Sequence, residues 1–292
     1  MQKFKGLYPA LVTPYDRNGK VDYKKAQSLV KHLLDCGVDG FYIGGSTGES
    51  YLLSMQERKQ ILEAVAETVD GKAEVIANIG VFATEHGIEL AKHAEKTGVS
   101  AISSVPPFYF SFNMEEYIRY YEDLADAVDV PVLIYNIPAM SGIHFSKTDL
   151  ERLLSNEKII GIKHTSYDLF QLQQIIEEYP DKSVFIGHDE LYLSALAVGV
   201  RAGIGSTFNI MAEKFIRMNK LFEEKKLEEA LAVQGEVNAV VEVLCQVGVF
   251  KGIKEILKQQ GFDCGDCRRP FLPLTENEKE LVKETARLQH LI

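Results

Sequence analysis

The sequence predicts a (β/α)8 TIM barrel with a C-terminal helical extension. Eight short apolar runs alternate with longer amphipathic segments, which is the pattern of a closed parallel barrel surrounded by helices. Runs rich in valine, isoleucine and alanine suit strands that are buried on both faces. The predicted strands are residues 7–13, 40–44, 75–80, 101–105, 132–137, 159–165, 183–187 and 202–206.

The segments between these strands have apolar residues at three- and four-residue spacing, as amphipathic helices do. In residues 23–34 this stripe consists of Ala26, Leu29, Val30, Leu33 and Leu34. Ser54 and Glu57 form a capping-box pattern, which predicts that the next helix begins directly after Ser54.

A glycine lies shortly before three of the predicted strands, at Gly37, Gly98 and Gly199. Glycine can end a helix in the left-handed conformation, so each position predicts a helix-to-strand turn. The rival fold is an open doubly wound sheet. It is disfavoured because no G-x-G-x-x-G follows the first strand, which runs straight into Pro14 and Tyr15.

Beyond Ser206 the pattern is helical throughout. The predicted helices are residues 211–224, 227–247, 249–260 and 276–291. The first would be the eighth barrel helix, and about three more would form the extension. No linker rich in proline, glycine or serine separates the two parts. We therefore expect a barrel over residues 1–224 and an extension over residues 225–292 that packs on it as one structural unit.

Composition excludes several classes of function. The 292 residues carry a net charge of −10, so a nucleic-acid partner, which needs clustered lysine and arginine, is not expected. No apolar run approaches the roughly 18 residues of a membrane span, and residues 1–6 lack the apolar stretch of a signal peptide. We expect a cytoplasmic protein that binds a small molecule.

The four cysteines provide little support for a metal site. Only Cys264 and Cys267 form a C-x-x-C pair, and one such pair without further ligands is a weak zinc signal. We expect no metal, and we interpret these residues as reduced thiols in a late loop.

A lysine ends the sixth predicted strand, at Lys163 in residues 159–165. Lysine is rarely buried, because an unpaired ammonium group is costly to take out of water. A desolvated lysine loses its proton easily and becomes a nucleophile toward carbonyl carbons. The alternative is that the side chain simply extends from the strand end into water.

In such barrels the reactive groups lie at the carboxyl ends of the strands and in the loops that follow. Strand two ends in residues 44–49, where three glycines allow close backbone approach and successive N–H groups can bind an anion. Ser46 and Thr47 add two hydroxyl groups there. The alternative is a plain strand-to-helix turn.

Other strand ends also carry polar groups. Tyr135 ends strand five, so neighbouring strands could bring its phenol close to Lys163. Strand seven leads into Asp189 and Glu190, and strand eight into Ser206, where acids and hydroxyls could hold a polyhydroxylated ligand. Asp189 and Glu190 are equally plausible as residues that begin a helix. The aromatics after strand four, residues 108–110, are more typical of core or interface packing than of catalysis.

Residues 44–49, 135–138 and 161–165 together resemble the lyase family of N-acetylneuraminate lyase and dihydrodipicolinate synthase. The resemblance extends from about Gly6 to Pro273 and implies a Schiff base between Lys163 and pyruvate or another 2-oxo acid. It also implies proton transfer by Tyr135, and we expect hydrogen bonds from Ser46 and from Tyr109 of the neighbouring subunit to position and polarise the Tyr135 phenol. It implies no metal or other cofactor, and a homotetramer, with a dimer as the alternative.

The resemblance assigns further roles at the site. The pyruvate carboxylate site falls on Ser46 and Thr47, and the tyrosine lent to the neighbouring subunit's site falls on Tyr109. Contacts with the sugar tail fall on Gly187, Asp189, Glu190 and Ser206, and Thr165 is a further substrate-binding residue.

Particular positions distinguish the branches of this family. The synthases carry a carboxylate-binding arginine where this chain has Met140, and they typically have alanine where it has Thr165. The stretch 248–252 also matches the neuraminate lyases. One departure is His188, where those lyases usually have tyrosine. The resemblance therefore implies reversible cleavage of N-acetylneuraminate to N-acetylmannosamine and pyruvate.

Two alternatives remain open. The chain could be an aldolase of the same family that acts on another 2-oxo acid, such as 2-keto-3-deoxygluconate, or that catalyses a condensation like that of dihydrodipicolinate synthase. It could instead be a non-catalytic module that binds pyruvate or a sugar acid. A binding module needs neither a nucleophile nor a base, so the pair Lys163 and Tyr135 disfavours it.

Overall fold

A computed structural model describes residues 4–292. Eight parallel strands pair in the order β1-β8-β7-β6-β5-β4-β3-β2, and a bridge between Ala10 and Tyr42 connects the two ends. The strands are β1 (Gly6–Pro9), β2 (Gly40–Ile43), β3 (Glu74–Asn78), β4 (Ala101–Ser104), β5 (Val132–Asn136), β6 (Ile159–His164), β7 (Ser183–Ile186) and β8 (Ala202–Gly205). The predicted barrel is confirmed, and each predicted strand is present.

Helices follow the strands and cover the outside of the barrel. They are α1 (Tyr23–Cys36), α2 (Met55–Val69), α3 (Thr84–Thr97), α4 (Met114–Ala127), α5 (Pro138–Ser141), α6 (Lys147–Leu154), α7 (Leu169–Glu178), α8 (Tyr192–Ala197) and α9 (Phe208–Glu223). The capping box predicted at Ser54 and Glu57 is present. Gly37, Gly98 and Gly199 all have positive φ, so the three predicted turns use glycine for its conformational freedom.

Three further helices form the extension: α10 (Leu227–Val247), α11 (Val249–Gln259) and α12 (Glu276–Leu288). The predicted eighth barrel helix, residues 211–224, corresponds to α9. Helix α9 begins three residues earlier, at Phe208, and its backbone is non-helical at Met211. The boundary between residues 224 and 225 stays a prediction.

Among the described residues, one helix, α10, is long and apolar enough to cross a membrane by length and composition alone. The mean hydropathy of this helix is 1.3. Its buried residues include Val233, Val237 and Val240, which belong to the hydrophobic core. A core helix passes the same test, so the expectation that no segment spans a membrane stays a prediction.

The buried apolar residues form two clusters. The larger lies between the strands and the helices, and the smaller fills the barrel interior. The interior cluster includes Tyr8, Tyr42, Ile76, Leu133, Tyr135, Phe185 and Ile204. The inner space is therefore packed, and a small molecule can reach the interior side chains only at the strand ends.

A β-bulge in β6 determines which way its last residues face. Val132 pairs with Ile159, but Leu133 pairs with Gly161, so Ile160 is an extra residue in the strand. Ile160 packs with the interior cluster, whereas Ile159 and Ile162 pack with the outer one. Strict alternation from Ile160 would place Lys163 on the outer face. The bulge reverses this alternation and turns Lys163 inward.

Candidate active site

The amine of Lys163 lies inside the barrel mouth between two tyrosine rings. Its Nζ is 3.9 Å from the ring centroid of Tyr135 and 4.5 Å from that of Tyr42. Lys163 is only 4% exposed, and no carboxylate within residues 4–292 lies within salt-bridge distance of it. A buried amine with aromatic faces but no counter-ion matches the geometry of a nucleophile rather than of a structural ion pair.

Strand pairing explains why the amine and the phenol meet. Tyr135 of β5 and Lys163 of β6 are direct partners in the strand register. Within residues 4–292, no hydrogen bond joins the hydroxyl of Tyr135 to Ser46 or Tyr109. The structure thus brings together two of the residues predicted from sequence, and the Tyr135 hydroxyl has no hydrogen-bond partner in the described part of the chain.

Tyr42 belongs to the site but was missed from the sequence. Its hydroxyl donates to Ser103 Oγ at 3.1 Å, and its ring meets Tyr135 edge-on. Burial raises the pKa of Tyr42 well above its usual value, so the ring stays a neutral face against Lys163. Its inward position in β2 was the available signal, since alternate strand residues face the barrel interior.

Gly187 leaves open the space beside the lysine. A Cβ at this position would lie 1.9 Å from Thr165 Oγ1 and 3.2 Å from Lys163 Cε. Thr165 is buried, and its Oγ1 has no hydrogen-bond partner in the described part of the chain. An unsatisfied buried hydroxyl in this space is a donor or acceptor available to a bound ligand.

The loop after β2 folds back on itself. The N–H groups of Gly48 and Glu49 donate to the carbonyls of Gly45 and Ser46, and Thr13 Oγ1 donates to the Gly48 carbonyl. The N–H groups of Ser46 and Thr47 have no protein acceptor among residues 4–292. The segment is a tight turn, as the simpler interpretation held, and it also offers two free donors for an anion.

Asp189 is buried against β8. Its Oδ2 accepts hydrogen bonds from Thr207 N at 2.8 Å and Thr207 Oγ1 at 2.7 Å. Burial raises the pKa of Asp189 to about 6, although the two hydrogen bonds oppose the shift. A Cβ at Gly205 would lie 2.2 Å from Asp189 Oδ1, so glycine makes room for the carboxyl group. One oxygen is therefore committed to Thr207, while Ser206 is half-buried beside it.

Glu190 is held by two side chains at the mouth. Tyr167 Oη donates to Glu190 Oε1 at 3.0 Å, and His188 Nδ1 lies 3.0 Å from the same oxygen. The rings of Tyr167 and His188 stack with centroids 4.4 Å apart. Burial acts to raise the pKa of Glu190, but the hydrogen bonds from His188, the backbone and Tyr167 outweigh it and lower the pKa. Tyr167 was not identified from the sequence.

His164, the residue after Lys163, connects the end of β6 to its neighbours. Its Nδ1 lies 3.3 Å from Asn136 Nδ2, and its Nε2 lies 3.1 Å from the Asp168 carbonyl, so the neutral ring donates through Nε2. Burial lowers the pKa of His164 to about 4. This side chain bridges β5 and the loop after β6 in its uncharged form.

Tyr109 lies apart from the Lys163 site. It is 75% exposed and packs edge-on against Phe82 and Phe110. Tyr51 and Phe108 join the same aromatic cluster. Met140, in the short helix after β5, is also exposed. Tyr109 therefore has no contact with the amine of its own chain.

The cysteines are free thiols, and burial raises the pKa of both Cys264 and Cys267 to about 12. No group of three histidine, cysteine, aspartate or glutamate side chains in residues 4–292 is arranged to hold a metal ion.

Fold and site together define a (β/α)8-barrel protein whose strand ends present an amine, a phenol and a turn with two N–H groups that face no acceptor among residues 4–292. The model of the dihydrodipicolinate synthetase family matches residues 3–289, and the chain belongs to this family.

Individual relatives are similar over almost the whole chain. The N-acetylneuraminate lyase of Rhizobium meliloti (strain 1021) is 39% identical over 97% of this chain and 94% of its own length. CdNal of Clostridium difficile, solved in complex with mannosamine, is 37% identical, covers 99% of this chain and 100% of its own, and superposes with a TM-score of 0.95. N-acetylneuraminate lyase of Fusobacterium nucleatum, solved with pyruvate, is 35% identical over 97% and 96% of the two chains, with a TM-score of 0.92.

Proposed function

We propose that this protein is a sialic acid aldolase, which cleaves N-acetylneuraminate reversibly to N-acetylmannosamine and pyruvate. The observation that carries the proposal is the amine of Lys163, which is buried 3.9 Å from the ring centroid of Tyr135 and has no counter-ion among residues 4–292. The lyase names of the relatives support the reaction. The complexes of two of them with mannosamine and pyruvate support the ligand class.

Lys163 acts as the nucleophile. Its neutral Nζ adds to the ketone carbon of the open-chain sugar acid, and loss of water leaves an iminium ion. The iminium withdraws electrons. The bond between the carbon next to the iminium carbon and the hydroxyl-bearing carbon beyond it can therefore break, and its electron pair is left in an enamine. Because the iminium is the electron sink, the proposed reaction needs no metal or other cofactor.

Tyr135 acts on the proton that must move when this bond breaks. Its Oη takes the proton from the hydroxyl group on the carbon that becomes the aldehyde, and it returns the proton in the reverse direction. N-acetylmannosamine leaves, the enamine is protonated, and water releases pyruvate from Lys163. Because no described residue forms a hydrogen bond with the Tyr135 hydroxyl, this oxygen is available to the substrate.

The substrate carboxylate binds at the loop after β2. The unpaired N–H groups of Ser46 and Thr47, with their hydroxyls, provide the donors that a carboxylate needs. This contact would orient the ketone carbon toward Lys163 and would be shared by every 2-oxo acid.

The sugar tail binds where β6, β7 and β8 end. Glu190, positioned by Tyr167 and His188, accepts hydrogen bonds from tail hydroxyls, and Thr165 contributes its free Oγ1. Gly187 and Ser206 provide space and a further hydroxyl. Asp189 is proposed as a tail contact only through Oδ1, since Oδ2 is bonded to Thr207.

Tyr109 is proposed to complete the site of a neighbouring subunit in a homotetramer. Its exposed ring and the surrounding aromatic cluster support a contact with another chain. A largely apolar pocket of about 310 Å³, whose lining includes Ser46, Phe108 and Ile137, has the chemistry to receive a phenol ring. A cytoplasmic location is proposed from the acidic composition and the free thiols.

Cleavage of another 2-oxo acid remains the second candidate. The stacked rings of Tyr167 and His188 lie where the tail of the substrate would bind, and the tail distinguishes one 2-oxo acid from another. Met140 occupies the position where a condensing synthase is expected to have arginine, which disfavours that branch.

Borohydride trapping tests the proposal. The protein is reduced with borohydride in the presence of pyruvate, and peptides are mapped by mass spectrometry, with Lys163→Met as the matched control. We expect one modified peptide containing Lys163 and none in the variant. Cleavage rates are then compared for N-acetylneuraminate and 2-keto-3-deoxygluconate. Unmodified Lys163 in a protein that still cleaves sialic acid would contradict the mechanism, and faster cleavage of the second acid would contradict the substrate.

A further inference from the structure

A buried ion pair connects the extension to the loop after β2. Glu49 is the last residue of the loop after β2, and Lys254 lies in α11. Lys254 Nζ lies 2.7 Å from Glu49 Oε1, and both side chains are almost fully buried, with 3% and 0% exposure. The other carboxylate oxygen, Oε2, accepts a hydrogen bond from Arg268 N at 2.7 Å.

Neighbouring groups hold this pair in place. The Nζ of Lys254 lies 4.3 Å from the ring centroid of Tyr15, and the guanidinium of Arg268 lies 4.7 Å from the same ring. Arg268 also forms a two-point ion pair with Glu57 and donates to the Leu52 carbonyl. The loop after β2, the start of α2 and the extension are thus joined through one charged network.

The network acts on a strained backbone position. Glu49 has φ 57, in the left-handed region that is unfavourable for residues with a Cβ. Its N–H and the Gly48 N–H close the turn that leaves Ser46 and Thr47 with free N–H groups. Burying two charges is costly, and replacing a buried ion pair with apolar side chains of similar size often leaves the stability of a protein unchanged or increases it. We therefore explain the presence of the ion pair by the backbone conformation that it holds at Glu49, and not by a gain in stability.

We propose that Glu49 and Lys254 are positioning residues, which hold the turn at Ser46 and Thr47 in the conformation that binds the substrate carboxylate. The inference rests on the proposed function and adds that the helical extension is part of the carboxylate site. Neither residue touches the reacting atoms, so the chemical step on bound substrate should be largely retained.

Pyruvate binding to the full-length protein provides the test. Pyruvate affinity is measured by calorimetry, and adduct formation at saturating pyruvate by borohydride trapping, for Glu49→Gln, Lys254→Met and the double variant. We expect the dissociation constant to rise at least about 10-fold in each variant, with adduct still formed at saturation. In the double variant, thermal stability should recover relative to the single variants, but pyruvate affinity should not.

The ion pair between Lys214 and Glu236 provides the matched control. It joins α9 to α10 in the same region of the chain and has no contact with the loop after β2. Lys214→Met should change thermal stability without changing pyruvate affinity. If Lys254→Met fails to fold, Lys254→Arg and Glu49→Asp are measured instead, with the same expected loss of affinity.

The outcomes separate this inference from the proposed function. Wild-type protein without a trapped adduct would contradict the proposed function. A wild-type adduct together with unchanged pyruvate affinity in folded variants of Glu49 and Lys254 would overturn only the positioning role, as would recovery of both stability and affinity in the double variant.

Discussion

Lys163 Nζ lies 3.9 Å from the ring centroid of Tyr135, its register partner on the neighbouring strand. Two features of the barrel produce this distance. Parallel pairing of β5 with β6 places the two residues opposite each other in the strand register, and the bulge at Ile160 and Gly161 turns the lysine inward. The mechanism depends on this pair, and the predictions below test the pair and the groups that surround it.

Loss of the Tyr135 hydroxyl should slow the chemistry and spare the adduct. Tyr135→Phe keeps the ring over Lys163 but removes the proton-transfer group, so kcat should fall about 100-fold or more. Steady-state kinetics and borohydride trapping measure the two effects. Tyr42→Phe is the control, since it also keeps a ring against Lys163 and loses only a hydrogen bond to Ser103. Equal losses in both variants would contradict a proton-transfer role for Tyr135.

A methyl group at Gly187 should disturb the site more than the fold. The added Cβ would displace Thr165 and press on Lys163, so kcat/KM should fall at least about 10-fold, at a stability cost of roughly 1–3 kcal/mol. Gly235→Ala is the control, because no atom lies within 4 Å of the new Cβ and the helix should gain about 0.5–1 kcal/mol. Wild-type kinetics for Gly187→Ala would show that this space is not needed.

Tyr109 should matter only in an assembled protein. Tyr109→Phe keeps the exposed ring and removes its hydroxyl, so turnover should fall about 10-fold while pyruvate binding changes little. Tyr109→Ala removes the ring as well and should weaken assembly, as measured by analytical ultracentrifugation. A fully active monomer would exclude the sharing of Tyr109 between subunits.

Glu190 should govern the sugar tail and not pyruvate. Glu190→Gln keeps the shape but loses the charge-assisted hydrogen bonds, so KM for N-acetylneuraminate should rise about 10-fold. Pyruvate affinity should stay unchanged, which provides the internal control. His188→Phe and Tyr167→Phe each keep a ring but remove one donor, and they should give smaller increases in KM. An equal loss of pyruvate affinity would contradict the proposal that Glu190 contacts only the sugar tail.

Acid should destabilise the fold through His164. Above about pH 6.5 the imidazole is neutral in both the folded and the unfolded chain. Between pH 6.5 and about 4 the unfolded chain takes up a proton that the buried ring does not, because burial lowers the pKa of His164 to about 4. The free energy of unfolding should therefore fall by up to roughly 3 kcal/mol on acidification through this window.

His164→Gln should remove this loss, as measured by urea denaturation at pH 7 and pH 4.5. Asp189, whose raised pKa of about 6 makes the fold less stable as pH rises from about 4 to 6, acts in the opposite direction. It is present in both proteins, so the difference between them isolates His164. Identical pH dependence in the two proteins would show that His164 makes no such contribution.

The barrel was predictable because its signals are local. Strand and helix periods, the capping box at Ser54 and the glycines that end helices each depend on residues close in sequence. The position of Lys163 at a strand end follows from the same pattern. The resemblance to a known family then associated Lys163 with Tyr135, and the structure places the two side by side.

Other parts of the site had no local signal. Tyr42 is a common strand residue until barrel closure brings its ring to Lys163, and Tyr167 is an exposed aromatic until it meets Glu190. Asp189 fitted two interpretations. It does begin a short 3-10 helix, Asp189–Leu191, but its side chain turns to Thr207 on the next strand end.

The sequence by itself determined the number and order of strands and helices, and which of them end in reactive groups, because backbone periodicity is encoded by neighbouring residues. Only the tertiary structure decided which side chains meet. The bulge that turns Lys163 inward depends on how two strands pair. The ion pair between Glu49 and Lys254 joins residues 205 positions apart, and no local pattern specifies such a contact before the barrel closes and the extension packs onto it.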